Sequence, residues 1–155
     1  EQWDVVRREP LSKAETAAFA DAVERAKNEL AGQLYQQGLE KIRVQRWQEA
    51  ASLLEESLKH KEDSAIAPSV RLRLAESYRH LGKCKEALGF LPQLADNTVD
   101  REVQDDALYI LAHCQTDLQA WNDAKNTWKT LLRRFPDSHF AAEEKLELAQ
   151  LQLAH

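Results

Sequence analysis

The chain has 155 residues, with 21 Lys and Arg against 26 Asp and Glu and a formal net charge of −5. That acidic balance disfavours a nucleic-acid binder, because phosphate contacts require a basic patch, and no apolar run approaches the roughly 20 residues of a membrane-spanning helix. Four glycines and four prolines are too few for the corners of an all-β fold, while 43 % hydrophobic residues suffice for a buried core.

The chain begins at Glu1 and contains no Met, which reads as a processed protein or an excised segment, so the N-terminus does not report a compartment. Residues 1–11, with Trp3, Val5, Val6 and Arg7-Arg8-Glu9-Pro10, read as a linker. Ser12-Lys13-Ala14-Glu15 is a capping box that opens a helix. Phe19, Val23, Ala26, Leu30 and Leu34 then recur at helical spacing. The N-terminal helix over 12–30 either breaks near Gly32 or runs unbroken to about Val44. It reads as a cap packing on residues 31–67, with a coiled-coil seam between two copies as the rival reading.

From residue 31 onward the chain repeats itself. Leu74-Ala75, Leu111-Ala112 and Leu148-Ala149 lie 37 residues apart, and so do Ala50, Ala87 and Ala124. Two independent markers with one period define units at 31–67, 68–104 and 105–137, with 138–155 supplying the first helix of a fourth unit or a capping helix. Each unit reads as two helices. In the third, Leu108, Leu111, Ala112 and Gln115 keep helical spacing, a polar turn comes near Asp117 to Gln119, and Trp121, Ala124, Trp128 and Leu131 resume the period until Pro136 ends it. Pro92 falls inside the second helix of unit two, where it removes a donor and clashes with the carbonyl of Leu88, so a kink or early end is expected.

The combination of Leu34, Gly38, Trp47, Ala50, Leu54 and Leu58 in unit one, Leu74, Ala75, Tyr78, Gly82, Ala87, Leu91 and Leu94 in unit two, and Leu108, Leu111, Ala112, Trp121, Ala124, Trp128, Leu131 and Pro136 in unit three resembles the tetratricopeptide repeat (TPR) family over residues 31–155. The period of 37 departs from the family's usual 34, which suggests that first helices start a turn early. Glu62 and Val99 replace the family's Pro, and Cys84 replaces an aromatic. The linker Phe135-Pro136-Asp137-Ser138, followed by Ala141-Ala142, is further similar to TPR proteins of the bacterial cell envelope, such as the Tol-Pal-associated coordinator and the outer-membrane assembly lipoprotein. The resemblance implies an all-α fold, a right-handed solenoid of antiparallel helix pairs. It also implies a non-catalytic scaffold that binds a protein or peptide partner in its concave groove, with the cell envelope favoured over the cytoplasm.

By the same resemblance the groove is lined by Tyr35, Leu39 and Ile42 in unit one, Leu72, Arg73, Glu76, Arg79 and His80 in unit two, Tyr109, Ile110, His113 and Thr116 in unit three, and Leu146, Gln150 and Leu153 in unit four. Tyr35, Leu72, Tyr109 and Leu146 form an apolar ladder, which either binds a partner or packs between helices. Tyr35 and Leu39 stand where chaperone-adaptor members carry Lys and Asn, which argues against a clamp for a chaperone tail. Arg73 and Arg79 are placed to read an acidic neighbour of an apolar peptide. Leu146, Leu148, Leu151 and Leu153 mark an apolar face on the last helix, where the natural chain continues or a partner or second copy docks.

No other chemistry is supported. His113 and Cys114 are adjacent and diverge on a helix, and Gly82 spoils the spacing of His80 and Cys84, so a zinc site is disfavoured. The two cysteines read as buried thiols or as a Cys84–Cys114 disulfide between neighbouring units. Glu55-Glu56 and Glu143-Glu144 read as solvated helix faces. No nucleophile–base pair or phosphate-cradling loop is present, and no cofactor or metal is expected. Two rival functions remain, a homo-oligomeric scaffold and a regulatory module attached to a domain outside this segment.

Overall fold

The computed structural model describes residues 12–97 and 100–155, so the expected linker over 1–11 and Val99 lie outside the described residues. Helix α1 runs from Lys13 to Arg43, succeeded by α2 (Trp47–His60), α3 (Ala67–His80), α4 (Cys84–Leu88), α5 (Leu91–Asn97), α6 (Arg101–Asp117), α7 (Trp121–Arg134) and α8 (Ala141–Ala154). The described residues form no strand. The pairs α1/α2, α3/α4–α5 and α6/α7 stack in sequence, with α8 against α7. This is the all-α helical solenoid that the repeat predicts.

The turn inside each pair has one design. Gln45, Gly82 and Gln119 all have positive φ, at 61°, 72° and 62°, and they are 37 residues apart. In each case the next N–H reaches back five residues: Arg46 to the Lys41 carbonyl, Lys83 to Tyr78, and Ala120 to Gln115, at 2.7–2.8 Å. The positive-φ residues themselves donate to Ile42, Arg79 and Thr116. This double closure satisfies the last carbonyls of the first helix and turns the chain sharply. The second helices consequently start at 47, 84 and 121, so their starts keep the period. Two first helices start early, α1 at Lys13 and α6 at Arg101. Helix α6 begins a turn earlier than the register of α3 and α8, because Asp100 caps it by accepting from the Glu102 and Val103 amides.

Small residues bring the helices together. Ala50, Ala75, Ala87, Ala112 and Ala124 are fully buried. A Cβ on Gly38 would stand 2.8 Å from Leu54 Cδ2, so glycine permits that approach. Trp128, Leu131 and Leu54 fill the spaces between. A larger core spans units two to four and a smaller one joins Ala51, Leu54, Val70 and Leu74. In unit two the second helix breaks at Gly89-Phe90. Pro92 cannot donate to Leu88, and the ladder resumes with Leu94 N–H to the Phe90 carbonyl at 3.0 Å.

Two ends differ from the sequence reading. Helix α1 is unbroken from its Ser12 N-cap, whose Oγ accepts from Glu15 N–H and donates to Glu15 Oε1, both at 3.1 Å, and it buries side chains only from Ala31 on. Residues 13–30 project from the array with Phe19 64 % exposed, so this segment does not pack over unit one as a cap. Its nearest tie is the ion pair between Glu24 and Lys61. On α8 the four leucines do not share a face. Leu148 and Leu151 turn into the core, whereas Leu146 and Leu153 are exposed, because i,i+3 and i,i+7 positions define separate pairs on one helix.

Cys84 and Cys114 form a disulfide with Cα atoms 5.3 Å apart, joining the start of α4 to the last turn of α6. The reading as free thiols is thereby corrected. At the equivalent position of unit one Trp47 stacks on His80, and in unit three Trp121 stacks on His155, both with centroids 3.9 Å apart. The aromatic contact between units is replaced by a covalent one in the middle, where α4 is the shortest helix. The bond closes a separation of 30 residues. Replacing both cysteines by Ala is expected to lower unfolding stability by about 3 kcal/mol, measured by guanidinium melts with and without reductant. An unchanged midpoint would show the link to be idle.

Glu144 is a core residue, not part of a solvated face. It lies 37 positions after Ala107 and 74 after Val70, and all three are buried, Glu144 at 0 % exposure. Neither of its carboxyl oxygens has a hydrogen-bond partner among the described residues. Burial foremost, then the nearby Asp105 carboxylate, push its pKa up to about 7, and the neighbouring Ser138 hydroxyl donates to Asp105 instead, at 3.0 Å. A carboxyl raised in the fold binds its proton more tightly there than in the open chain. Stability is therefore lost as pH rises from about 4.5 to about 7. Glu144→Gln is expected to stabilise the protein by about 2 kcal/mol at pH 8, with the gain vanishing below about pH 4.5. Equal melting temperatures at pH 8 would refute the burial cost.

Candidate functional site

The first helices of units two and three run side by side and leave a cleft of about 340 Å³ between them, closed at one side by the turn before α8. On α3 the spacing of Leu72, Arg73, Glu76, Arg79 and His80 places them along one stripe, and on α6 Asp106, Tyr109 and Ile110 do the same. His139 and Phe140 complete the wall. Leu72 and Ile110 are buried and form the floor, while Arg73, Glu76, Arg79 and Asp106 are half-buried along the sides.

The polar groups are unequally paired. Arg73 Nη1 donates to Glu76 Oε2 at 2.9 Å. It also lies close enough to Asp106 to oppose the effect of burial, which nonetheless keeps the Asp106 carboxyl above its ordinary range. Tyr109 donates its hydroxyl to both oxygens of Glu143, at 2.8 and 2.9 Å. Burial first, then that carboxylate, raise its phenol to about 12. Its ring stacks on Phe140 at 3.9 Å and meets Trp128 edge-on at 5.9 Å. The Arg79 side chain has no ion pair or hydrogen bond among the described residues, and its Nε is buried without an acceptor.

Seven of the residues expected along the groove line this cleft: Leu72, Arg73, Glu76, Arg79, His80, Tyr109 and Ile110. His113 does not join them. It is buried behind Tyr109, edge-on to Trp128 at 5.0 Å, with Nε2 3.3 Å from Glu143 Oε1. Burial, then the positive charge of Arg79, lower its pKa and keep the imidazole neutral. Tyr35, Leu39 and Ile42 sit half-buried on α1 away from the cleft, Tyr35 and Ile42 against the smaller core. The apolar ladder is therefore not one surface: Leu72 is buried, Tyr35 and Tyr109 are half-buried, and Leu146 is exposed. Sequence reasoning missed Asp106, His139 and Phe140. The last two lie in a turn just after the Phe-Pro-Asp-Ser linker, where helical periodicity is silent and only the linker marks them. Cys84 and Cys114, weighed as zinc ligands, are bonded to each other.

Residues 27–155 match the YfiO family, described as outer membrane lipoprotein. The chain belongs to the YfiO family. Every residue of the cleft falls within the matched segment, whereas most of the projecting part of α1 precedes it. No curated protein matches the sequence. Among solved structures, the first TPR of Spaghetti (RPAP3) bound to the HSP90 peptide SRMEEVD is similar over 82 % of this chain and 94 % of that one, with a TM-score of 0.69 and 17 % identity. The first TPR domain of human RPAP3 is similar over 82 % and 95 %, with a TM-score of 0.68 and 16 % identity. At such identity the likeness establishes the fold: this YfiO-family chain is built of tetratricopeptide repeats.

Proposed function

We propose that the chain is a non-catalytic interaction module that takes an extended or helical segment of a partner protein into the cleft between α3 and α6, within a multiprotein assembly of the bacterial cell envelope. The observation that carries this reading is the cleft itself. An apolar floor of Leu72 and Ile110 lies under a rim of charged and aromatic side chains, the arrangement that recognises a peptide by apolar anchors and polar register. A TPR of the same fold holds an HSP90 peptide, which supports peptide capture as the use of such a groove. A chaperone tail is not the proposed ligand, because Tyr35 and Leu39 are half-buried where that clamp needs Lys and Asn. The family description favours the envelope. The Cys84–Cys114 disulfide supports it too, since such bonds persist in oxidising compartments.

A second reading, a homo-oligomeric scaffold, is favoured by the exposed apolar side chains at both ends, Phe19 at 64 % and Leu153 at 91 %. Sedimentation over a wide concentration range separates the two, because a strict monomer removes the scaffold. The cleft is tested with a random peptide library displayed on phage. Peptides selected on the wild-type chain are expected to lose about tenfold or more in affinity when Glu76→Trp fills the cleft, with the melting temperature retained. Undiminished binding would place the site elsewhere.

A further inference from the structure

The two arginines of the cleft differ in a way that assigns one of them a ligand. Arg73 is internally balanced by Glu76 and the neighbouring Asp106. Arg79 is not. It forms no ion pair with any described residue, and its buried Nε–H has no acceptor. Native chains seldom leave a buried donor unmet, and a guanidinium partly withdrawn from water is normally matched by an anion. The carboxylates around it are Glu76, Asp106, Glu143 and Glu147, yet none pairs with it: Glu76 accepts from Arg73 and Glu143 from Tyr109. Tyr109 and His113, which feel the Arg79 charge, are uncharged at neutral pH. A planar fork of N–H donors beside apolar walls fits a carboxylate held by two parallel hydrogen bonds.

We propose that Arg79 is the receptor for a carboxylate of the bound segment, carried on a peptide whose neighbouring residues are apolar and seat on Leu72, Ile110 and Phe140. The inference rests on the reading of the cleft as a peptide site. It narrows the partner from any apolar segment to one with an acid in register with its anchors. Arg73 takes no part in that recognition, because its charge is spent on Glu76. The carboxylate comes either from an Asp or Glu side chain or from a chain terminus, and the two sources are separable by synthesis.

The test uses the full chain and the peptides selected from the library, each made in four forms: with its acidic side chains, with these changed to their amides, and with a free or an amidated C-terminus. One acid-to-amide change, internal or terminal, is expected to weaken binding to the wild type about tenfold or more. The same change is expected to have less than about a twofold effect on Arg79→Gln, while Arg73→Gln retains the full discrimination. Loss on internal amidation identifies a side chain, and loss on terminal amidation identifies a chain end. Peptides that bind equally well in acid and amide forms overturn the proposal and leave the cleft reading standing. A library that yields no cleft-dependent peptide overturns both. Should Arg79→Gln melt early, the Arg79 Nε–Hε resonance of the wild type supplies the decision. It should shift with N-acetylglutamate amide or N-acetylleucine but not with N-acetylglutamine amide, and a resonance that ignores both acids sinks the idea.

Discussion

The left-handed residue that ends each first helix sets the geometry of the whole chain. At 45, 82 and 119 the backbone adopts positive φ and the next amide closes five residues back, so the second helix must depart at a fixed angle two residues later. Glycine does this without strain at Gly82. Gln45 and Gln119 accept a conformation that costs an L-residue about 1 kcal/mol or more, and packing on either side holds them there. With that angle fixed, the first residue of each second helix meets the end of the next unit's first helix. Trp47 lies on His80, Cys84 is bonded to Cys114, and Trp121 lies on His155. Translation along the array arises from turn and contact together.

The cleft is bounded by α3, α6 and the turn before α8, and the second helices contribute none of its lining. In unit two the second helix is cut at Gly89-Phe90, and the unit loses part of the continuous surface that α2 and α7 offer. Opposite it, α6 extends a turn further back under the Asp100 cap. The disulfide fixes α4, the shortest helix, against the last turn of α6. A rigid floor is a precondition for discriminating one peptide from another, since a groove that relaxes around its ligand recognises many.

How much of this is legible in the sequence depends on whether the residue type itself carries the constraint. The repeat, the N-cap at Ser12 and the interruption before Pro92 each rest on local chemistry and read directly. The turns at Gln45 and Gln119 do not, because glutamine advertises no left-handed preference and only the period points there. Register places His113 in the groove, yet Trp128 from the partner helix covers it. Hydrophobicity alone groups Leu146 and Leu153 with Leu148 and Leu151, although a helix turns about 100° per residue and separates them. Glu144 reads as a solvated member of an acidic pair. Its burial is decided by the neighbouring α6 and the Ser138 turn, which no window along the chain contains.

The same distinction bears on specificity. Apolar side chains at the bottom of the cleft are shared between binding and folding, so they cannot be tuned freely: Leu72 and Ile110 are as buried as core residues. The rim is free to vary. There the arithmetic of charge is local, with Arg73 answered by Glu76, Tyr109 by Glu143, and Arg79 by nothing among the described residues. In a solenoid each unit touches only its neighbours, so an unanswered charge cannot be compensated from a distance. A partner that brings the missing anion would therefore gain most at that point, and selectivity among apolar segments would reside in a single guanidinium rather than in the apolar surface beneath it.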